Sequence, residues 1–289
     1  MTGSDPQPRT ALVTGAARGI GRMTAEALAA AGWRVVAGVR DPGALAPLGG
    51  PRCHVVRLDV TDADSIRSGV AEAERVAGGA LRCVVNNAGW ALFGAIEDVD
   101  LGEARREFET NLFGAVAVLQ AALPRMREAG AGVVVSVSTL SGRVPLPLFG
   151  MYSASKLALA AVTDALALEL GPSGIRTLLI EAGVVRTEFA RSTVVSGSVA
   201  ETESAYAPVG ERVLGTLRGI RDAGGIAPDE VASAIVRGVE DPATPARVVL
   251  ADEGLRGVAD AIGGPAADAY TQVRVLLGLE APGGAGGST

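Results

Sequence analysis

The segment TALVTGAARGIG, residues 10–21, decides the fold, because it joins a short apolar strand to a helix through a glycine-rich turn. Glycines in such a turn let the backbone approach a pyrophosphate, which free N–H groups and the positive end of the helix dipole can bind. An ordinary glycine-rich turn is the alternative interpretation, since the chain contains 39 glycines. The strand before the turn and the helix after it favour nucleotide binding.

Short apolar runs alternate with Ala- and Leu-rich helical stretches along the rest of the chain, which is typical of strand–helix–strand units on a parallel sheet. Strands are predicted at residues 10–14, 34–39, 53–58, 81–86, 132–138, 176–180 and 247–250. Helices are predicted at residues 19–31, 62–76, 101–127 (in one or two pieces), 150–170 and 228–240. The sequence therefore predicts a single doubly wound, Rossmann-type α/β domain over residues 9–280, with about seven parallel strands and helices on both faces.

Three segments depart from this alternation. Residues 189–227 contain no predicted strand and are weakly helical and polar. We interpret them as an insertion that covers one end of the sheet, where lids usually lie. Residues 1–8 and the glycine-rich residues 281–289 are predicted to be flexible ends.

Composition and charge exclude several classes of partner. The formal net charge is −6 and no basic block occurs, so a nucleic-acid partner is not expected. The longest uncharged run, residues 110–124, is too short and too polar to cross a bilayer, and residues 1–10 contain no apolar signal-peptide stretch. His54, Cys53 and Cys83 make no closed metal site, so no metal is expected. We therefore expect a cytoplasmic globular protein without a membrane partner.

Lysine and asparagine are scarce, and the positions where they remain are informative. Lys156 is the one lysine among 26 basic residues, and asparagine occurs only at positions 86, 87 and 111. Because arginine is used at nearly every basic position, we expect the single lysine and the three asparagines at positions where no other residue would function. The alternative is that they were retained by chance. The adjacent Asn86 and Asn87 follow a predicted strand, where their side chains can connect neighbouring strand ends.

Tyr152 and Lys156 are four residues apart near the start of a predicted helix, which places them on one face. An ammonium near a phenol stabilises the phenolate and lowers the phenol pKa, which makes an acid or base usable near neutral pH. A solvated helix face is the alternative for such a common spacing. The use of the single lysine at this position favours the catalytic interpretation.

The end of the second predicted strand bears on the cofactor. In dinucleotide-binding folds with such a turn, an acidic residue usually stands there and binds the ribose hydroxyls. Here Val39 occupies that position and Arg40 follows it. A guanidinium suits a 2′-phosphate, so NADP(H) is favoured over NAD(H). Asp41 could still supply the acid if the strand ended later, and Arg40 could be a solvated loop charge.

Taken together, these residues resemble the short-chain dehydrogenase/reductase family over about residues 10–190. The motifs occur in order as TGAARGIG at 14–21, Asp59, NNAG at 86–89, Asn111, a hydroxyl near 138, YSASK at 152–156 and AGVVRT at 182–187. The runs ETNLFGAV and GRVPLPLFGMYSASKLAL look most like ketoreductases and hydroxysteroid-dehydrogenase-like members. One departure is Ala182-Gly183, where the family usually has Pro-Gly.

The resemblance implies a role for each catalytic candidate. Tyr152 would donate the proton, Lys156 would bind the nicotinamide ribose and lower the Tyr152 pKa, and Asn111 would hold a water of the proton relay. A hydroxyl would orient the substrate carbonyl, and the family spacing to Tyr152 selects Thr139. Ser138 precedes it, and the choice between these two hydroxyls stays open.

The resemblance also implies a cofactor site and an oligomer. Asp59 and Val60 would flank the adenine, while Thr187 and the Val185 backbone would position the carboxamide. The full set is Gly15, Ala17, Arg18, Gly19, Ile20, Gly21, Arg40, Asp59, Val60, Asn87, Ala88, Gly89, Tyr152, Lys156, Gly183, Val185 and Thr187. A homodimer or homotetramer packed through two long helices is implied as well.

Apolar residues next to the catalytic segments either form an apolar substrate pocket or belong to the core. The pocket candidates are Trp90, Phe93, Leu146, Leu148 and Phe189. The favoured function is an NADP(H)-dependent oxidoreductase that interconverts a carbonyl and a secondary alcohol on a hydrophobic small molecule. A nucleotide-binding sensor, or a non-redox lyase or isomerase, is the alternative on the same fold.

Overall fold

The computed structural model describes residues 9–44, 48, 50–201, 203–261 and 275–278, so the flexible ends predicted at 1–8 and 281–289 lie outside the described residues. The strands are β1 (Thr10–Thr14), β2 (Arg34–Val39), β3 (Cys53–Arg57), β4 (Cys83–Asn86), β5 (Ala91–Phe93), β6 (Gly132–Thr139), β7 (Ile175–Ala182), β8 (Thr193–Val195) and β9 (Arg247–Leu250). Seven of them form one parallel sheet in the order β3-β2-β1-β4-β6-β7-β9. The predicted doubly wound fold is confirmed.

Helices cover both faces of this sheet. They are α1 (Gly19–Ala30), α2 (Ala63–Ala77), α3 (Leu101–Phe108), α4 (Gly114–Glu128), α5 (Gly150–Leu170), α6 (Ala207–Asp222), α7 (Pro228–Glu240) and α8 (Arg256–Ala261). One core layer joins α1 and α7 to the sheet through residues such as Leu28 and Ile235. The other joins α2 and α4 through residues such as Val70 and Val118. No helix in the described ranges is long and apolar enough to cross a membrane.

The strand sequences are continuously apolar because both sides of the sheet are covered. In β1, Leu12 packs into the layer of α2 and α4, while its neighbours Ala11 and Val13 pack into the layer of α1 and α7. All five residues of this strand are buried. Successive side chains of a strand point to opposite sides of the sheet, so all residues of β1 are buried only because helices cover both sides.

The strand order reverses at β1, which lies between β2 and β4. Both neighbours run parallel to β1, so the three carboxyl ends meet at one edge of the sheet. In open α/β sheets, such a reversal leaves a crevice at the carboxyl ends where ligands bind. The glycine turn after β1 and the Asn86–Gly89 loop after β4 therefore meet in this crevice.

The long helical stretch predicted at residues 101–127 is interrupted by a π-helical turn, Glu109–Phe113, between α3 and α4. The backbone stays helical through the turn, so the two helices continue into each other. Such turns insert a residue into a helix and occur often at functional sites. Asn111 lies in the middle of this turn and is fully buried.

The insertion at residues 189–227 contains a short strand, so the expectation of no strand there was wrong. β8 pairs in parallel with β5, and each strand has only three residues, too few to produce a periodic pattern. Helix α6 follows and packs against the segments after β4 and β6, since a Cβ at Gly210 would lie 3.6 Å from Leu148 Cδ1 and 3.8 Å from Phe93 Cζ. The insertion thus covers these two segments.

Candidate active site

The glycine turn after β1 is joined to the loop after β4 by hydrogen bonds. The Thr14 hydroxyl accepts from the N–H groups of Asn87 (3.1 Å) and Ala88 (3.2 Å). The Asn87 amide donates in return to the carbonyl oxygens of Thr14 (2.9 Å) and Gly15 (3.2 Å). As the sequence suggested, an asparagine side chain connects these neighbouring strand ends.

Two glycines are required by this close approach. A Cβ at Gly21 would lie 2.4 Å from Asn87 Nδ2 and 2.5 Å from the Gly15 carbonyl oxygen. Gly15 has φ +64°, and a Cβ there would lie 2.8 Å from Ala88 Cα. No side chain larger than hydrogen can replace either residue without moving the loop.

The same turn leaves the start of α1 open to an anion. Arg18 precedes the helix in an extended conformation and makes no side-chain cap to it. The first N–H groups of a helix need acceptors, and an uncapped start next to a glycine turn suits a pyrophosphate. Ala17 and Arg18 are exposed, while Gly19 and Ile20 are half-buried. These residues fit the dinucleotide that the motif implies.

The adenosine end of the crevice is charged and exposed. Arg40 and Asp41 follow β2 in the solvent, and Asp41 Oδ1 accepts from the Gly43 N–H at 2.9 Å, so this carboxylate already stabilises its own turn. Asp59, after β3, accepts from the Thr61 N–H (2.9 Å) and hydroxyl (2.7 Å). Val60 beside it is buried.

Electrostatics connect Arg40 to this corner. Burial raises the pKa of Asp59, but hydrogen bonds from Thr61 and the cations Arg40 and Arg57 outweigh burial and hold that pKa below its ordinary value. Arg40 and Arg57 are therefore close enough to Asp59, the residue predicted to flank the adenine, to lower its pKa. Asp41 follows Arg40, so this corner presents both acidic and basic side chains to a bound nucleotide.

The loop after β7 lies against the glycine turn. A Cβ at Gly19 would lie 3.5 Å from Thr187 Cβ and Cγ2, and Val185 forms a bridge with Ile226. The Gly183 N–H donates to the Leu250 carbonyl at 2.8 Å, which anchors the loop to the end of β9. The predicted carboxamide-binding residues are therefore beside the predicted pyrophosphate-binding turn.

Helix α5 brings Tyr152 and Lys156 to the end of β6. Lys156 is buried, at 4% exposure, and its Nζ donates to the Val137 carbonyl oxygen at 2.9 Å. The buried Ser138 hydroxyl donates to the Lys156 carbonyl at 3.2 Å. Both contacts attach the helix backbone and the lysine to the strand.

The two candidate hydroxyls differ in where they point. Thr139 is the last residue of β6, and its hydroxyl donates to the Ala182 carbonyl at 3.1 Å and accepts from the Ser141 hydroxyl at 3.3 Å. Ser138 points to the backbone of α5 instead, because successive side chains of a strand point to opposite sides. Ala182 stands where the family usually has proline, and the Thr139 hydrogen bond is compatible with either residue because it uses the main-chain oxygen.

Asn111 is fixed by three hydrogen bonds inside the chain. Its amide donates to the Trp90 carbonyl (2.9 Å) and the Ser155 hydroxyl (3.0 Å), and its Oδ1 accepts from the Trp90 N–H (3.0 Å). The π-helical turn is thereby joined to the loop after β4 and to α5. Gly89 lies between them, since a Cβ there would lie 2.9 Å from Asn111 Oδ1 and 3.2 Å from Lys156 Nζ.

Burial dominates the titration of both catalytic candidates. Burial raises the pKa of the Tyr152 phenol, Glu107 raises it further, and the hydrogen bond with Thr139 opposes the rise. Burial lowers the pKa of Lys156 to about 8, against the carboxylate of Glu107, which raises it. Each direction follows from the low polarity of the interior, which disfavours the charged form.

The predicted pocket residues are divided between a packed core and the open side of Tyr152. Phe93, Phe149, Tyr152 and Phe189 form a row with ring centroids 5.0, 6.2 and 5.8 Å apart, and Phe189 is 37% exposed. Phe93 and Leu148 are buried beneath the insertion, and Leu146 packs at the edge of that cluster. Trp90 packs with Met151, and its Nε1 donates to Thr110 at 3.1 Å.

Glu107 is the buried site residue that sequence reasoning missed. It lies at the end of α3, one helical turn before Asn111, and has no exposed surface. A glutamate in a predicted helix is normally assigned to the solvent. Its four-residue spacing to Asn111 places the two residues one helical turn apart, but no local pattern reports that α5 and β5 pack against this part of α3.

Comparison with known proteins agrees with this geometry. The family model described as "short chain dehydrogenase" matches residues 9–195. A 3-ketodihydrosphingosine reductase of Bacteroides thetaiotaomicron is 35% identical over 199 residues, which cover 68% of this chain and 71% of that protein. A short-chain dehydrogenase from Streptomyces avermitilis superposes with a TM-score of 0.73 at 33% identity, over 95% of this chain and 96% of that one. A Burkholderia cenocepacia short-chain dehydrogenase in complex with NADP has a TM-score of 0.72 and 26% identity, with coverage of 92% and 98%.

Proposed function

Because this chain belongs to the short-chain dehydrogenase family of oxidoreductases, we propose that it interconverts a carbonyl and a secondary alcohol on a hydrophobic small molecule, with NADP(H) as cofactor. The observation that carries the proposal is the placement of Tyr152 and the buried Lys156 on α5 at the end of β6, where Thr139 lies and Lys156 Nζ donates to the Val137 carbonyl. These three residues lie at the carboxyl end of the sheet, beside the glycine turn. A proton donor, a polarising hydroxyl and a cation are the groups that carbonyl reduction needs.

The cofactor proposal rests on four groups of residues. When bound, the nicotinamide supplies or accepts the hydride. The glycine turn and the open start of α1 would hold the pyrophosphate, and Asn87, Ala88 and Gly89 would line the neighbouring wall. Arg40 would bind the 2′-phosphate, while Gly183, Val185 and Thr187 would hold the carboxamide. The NADP complex of the Burkholderia relative supports a nicotinamide cofactor, and the choice of NADP(H) over NAD(H) rests on Arg40.

Tyr152 would act as the general acid in reduction, giving its hydroxyl proton to the carbonyl oxygen as negative charge develops there. Thr139, at the end of β6, would donate to the same oxygen and orient it. The lowering of the Tyr152 pKa by Lys156 stays a prediction, because Nζ donates to the Val137 carbonyl and Thr139 is the group that opposes the rise. Asn111 would position a relay water beside Lys156.

A hydrophobic substrate is proposed from the residues around Tyr152. Phe189 is partly exposed next to the phenol, and Trp90 and Leu146 are half-buried nearby. A 3-ketodihydrosphingosine reductase is among the relatives, and its name gives a keto compound as that protein's substrate. The apolar side chains around Tyr152 favour an apolar ketone over a sugar.

The test is the loss of NADPH absorbance over a panel of aliphatic, aromatic and polycyclic ketones, with Tyr152→Phe as the matched control. The control keeps the ring contacts and removes the hydroxyl. We expect turnover with at least one apolar ketone and none in the control. Tight NADPH binding without turnover of any ketone or alcohol would overturn the proposal in favour of a sensor or a non-redox enzyme.

A homodimer or homotetramer is proposed from the outer face of the long helices. Leu157 (52% exposed) and Leu168 (83%) lie on α5, and Phe113 (53%) lies on the π-helical turn. Large apolar side chains at such exposure favour a further protein surface against them. Light scattering of the purified chain tests this directly, and a monomer mass at micromolar concentration would refute it.

A further inference from the structure

Glu107 is a wholly buried carboxylate that the proposed mechanism leaves without a role. Its Oε1 accepts a short hydrogen bond from the Leu92 N–H, at 2.7 Å, and it has no exposed surface. Its Oε2 is buried without a hydrogen-bond partner among the described residues. Burying an ionisable group with half of its hydrogen-bonding capacity unmet is costly, so the position calls for a compensating partner.

The groups that face Glu107 identify that partner. Helix α3 packs against β5, the π-helical turn and α5. β5 contributes no titratable side chain, and Glu109 of the π-helical turn is exposed. On α3 itself, Arg105 and Arg106 are exposed, and Arg106 pairs with Glu103. Helix α5 contributes Lys156 and Tyr152, and both interact electrostatically with Glu107.

Lys156 is the buried cation of the helix that packs against α3, and no direct ion pair joins it to Glu107 among the described residues. Its Nζ donates to the Val137 carbonyl, and both Nζ and Asn111 Oδ1 lie beside Gly89. Asn111 is four residues after Glu107, so the carboxylate lies about one helical turn from the amide that reaches this point. A buried ammonium is unfavourable without a nearby anion, and Glu107 is the described group that raises the pKa of Lys156.

The charges of the cluster depend on one another. Burial raises the pKa of Glu107 to about 7, and Lys156 opposes that rise. Glu107 in turn opposes the lowering of the Lys156 pKa by burial, so each of the two charges stabilises the other. Glu107 also raises the pKa of Tyr152, so one negative charge favours retention of a proton on both residues.

We propose that Glu107 is a positioning residue that acts through Lys156 and Tyr152, and that its charge holds this pair in the protonated form required for carbonyl reduction. The part that concerns reduction rests on the proposed function. In reduction, the Tyr152 O–H bond breaks and its proton goes to the substrate oxygen, so the phenol is the active form. Oxidation of an alcohol needs the phenolate, so Glu107 raises the pH at which oxidation begins.

The first experiment measures the Lys156 titration directly and needs no turnover. It is possible because Lys156 is the only lysine of the chain. Protein labelled with [ε-13C]lysine shows one lysine side-chain signal, whose pH titration reports Lys156 directly. We expect Glu107→Gln to lower the midpoint by about one pH unit or more. The glutamine oxygen can still accept from the Leu92 N–H, so the packing is preserved. Glu109→Gln, an exposed carboxylate two residues away, is the matched control and should leave the midpoint unchanged.

The wild-type titration alone also tests the proposal, should Glu107→Gln fail to fold. Protonation of a neighbouring carboxylate changes the lysine shift, so the Lys156 curve should show a second inflection near the Glu107 pKa of about 7. Glu107→Asp, which keeps the charge, should retain this second inflection. A single inflection in the wild type, or an unchanged midpoint in Glu107→Gln, would overturn the proposal.

The second experiment measures kcat against pH in both reaction directions. In Glu107→Gln, the alkaline limb of reduction should move to lower pH, and oxidation should begin at lower pH, by about the same one unit. A change in KM alone would indicate a structural role and contradict the proposal. If the wild type reduces no ketone while the lysine midpoint still shifts, the proposed function fails and the charge coupling stands.

Discussion

The two ends of the proposed cofactor site hold their side chains in opposite ways. At the catalytic end, Asn111, Ser155 and Lys156 are at most 4% exposed, and each is hydrogen-bonded inside the chain. At the adenosine end, Arg40 and Asp41 lie in the solvent. Buried polar groups must find partners within the protein, whereas exposed charges are satisfied by water.

The difference indicates whether the residues of each end are fixed before a ligand binds or act only when it is bound. The catalytic end is organised before any ligand arrives, so replacing one group leaves others buried without partners, and the loss is large. The adenosine end contributes chiefly when a phosphate is bound, so its losses are moderate and specific to one cofactor. Substitutions at the two ends should therefore differ both in size and in kind.

Lys156→Arg should produce the largest loss, although the charge is conserved. Nζ lies between the Val137 carbonyl and Gly89, where a planar guanidinium has no room. We expect kcat for ketone reduction to fall by roughly a thousandfold. Steady-state kinetics with saturating NADPH checks this, with thermal unfolding as the control for folding. A near-normal kcat would remove Lys156 from the mechanism.

Thr139→Ala should lower kcat by about a hundredfold, since a hydrogen-bond donor on a developing oxyanion is lost. Thr139→Ser should keep most activity because the hydroxyl is retained. Ser138→Ala is the matched control: it removes a hydroxyl that donates to the Lys156 carbonyl, and it should lower stability more than kcat. A large loss of kcat in Ser138→Ala, together with a small loss in Thr139→Ala, would assign the polarising role to Ser138.

Arg40→Ala should weaken NADPH binding by about ten- to a hundredfold, equivalent to about 1.5–3 kcal/mol for a lost charge-assisted contact. NADH binding should change little, because it lacks the 2′-phosphate. Fluorescence titration with both cofactors gives the two Kd values. Equal losses for the two would show that Arg40 does not bind the phosphate and would weaken the contrast between the two ends.

Asp41→Asn should have the smallest effect, with both Kd values changed by less than about fivefold. The asparagine oxygen can still accept from the Gly43 N–H, so the turn is kept. The same fluorescence titration applies. A large loss of NADH binding would identify Asp41 as the acid for the ribose hydroxyls and reverse the predicted cofactor preference.

The sequence by itself determined the strand and helix alternation and the motifs. The bounds of β1, β2, α5, α7 and β9 match the predicted ranges. These elements were predictable because their signals are local: an apolar run bounded by turn residues, or a helical stretch with a proline at its start. The glycine turn was readable for the same reason, since it directly joins a strand to a helix.

Only the tertiary structure decided the pairing of β5 with β8 and the burial of Glu107. The two strands are three residues each and about a hundred residues apart in the chain, so no local pattern specifies their pairing. The burial of Glu107 depends on α5 and β5 packing over one face of α3, which helical spacing does not report. The facing of Ser138 toward the α5 backbone, and of Thr139 toward the Ala182 carbonyl, likewise follows from where β6 ends against α5 and β7. Long-range packing, and not residue type, set these features.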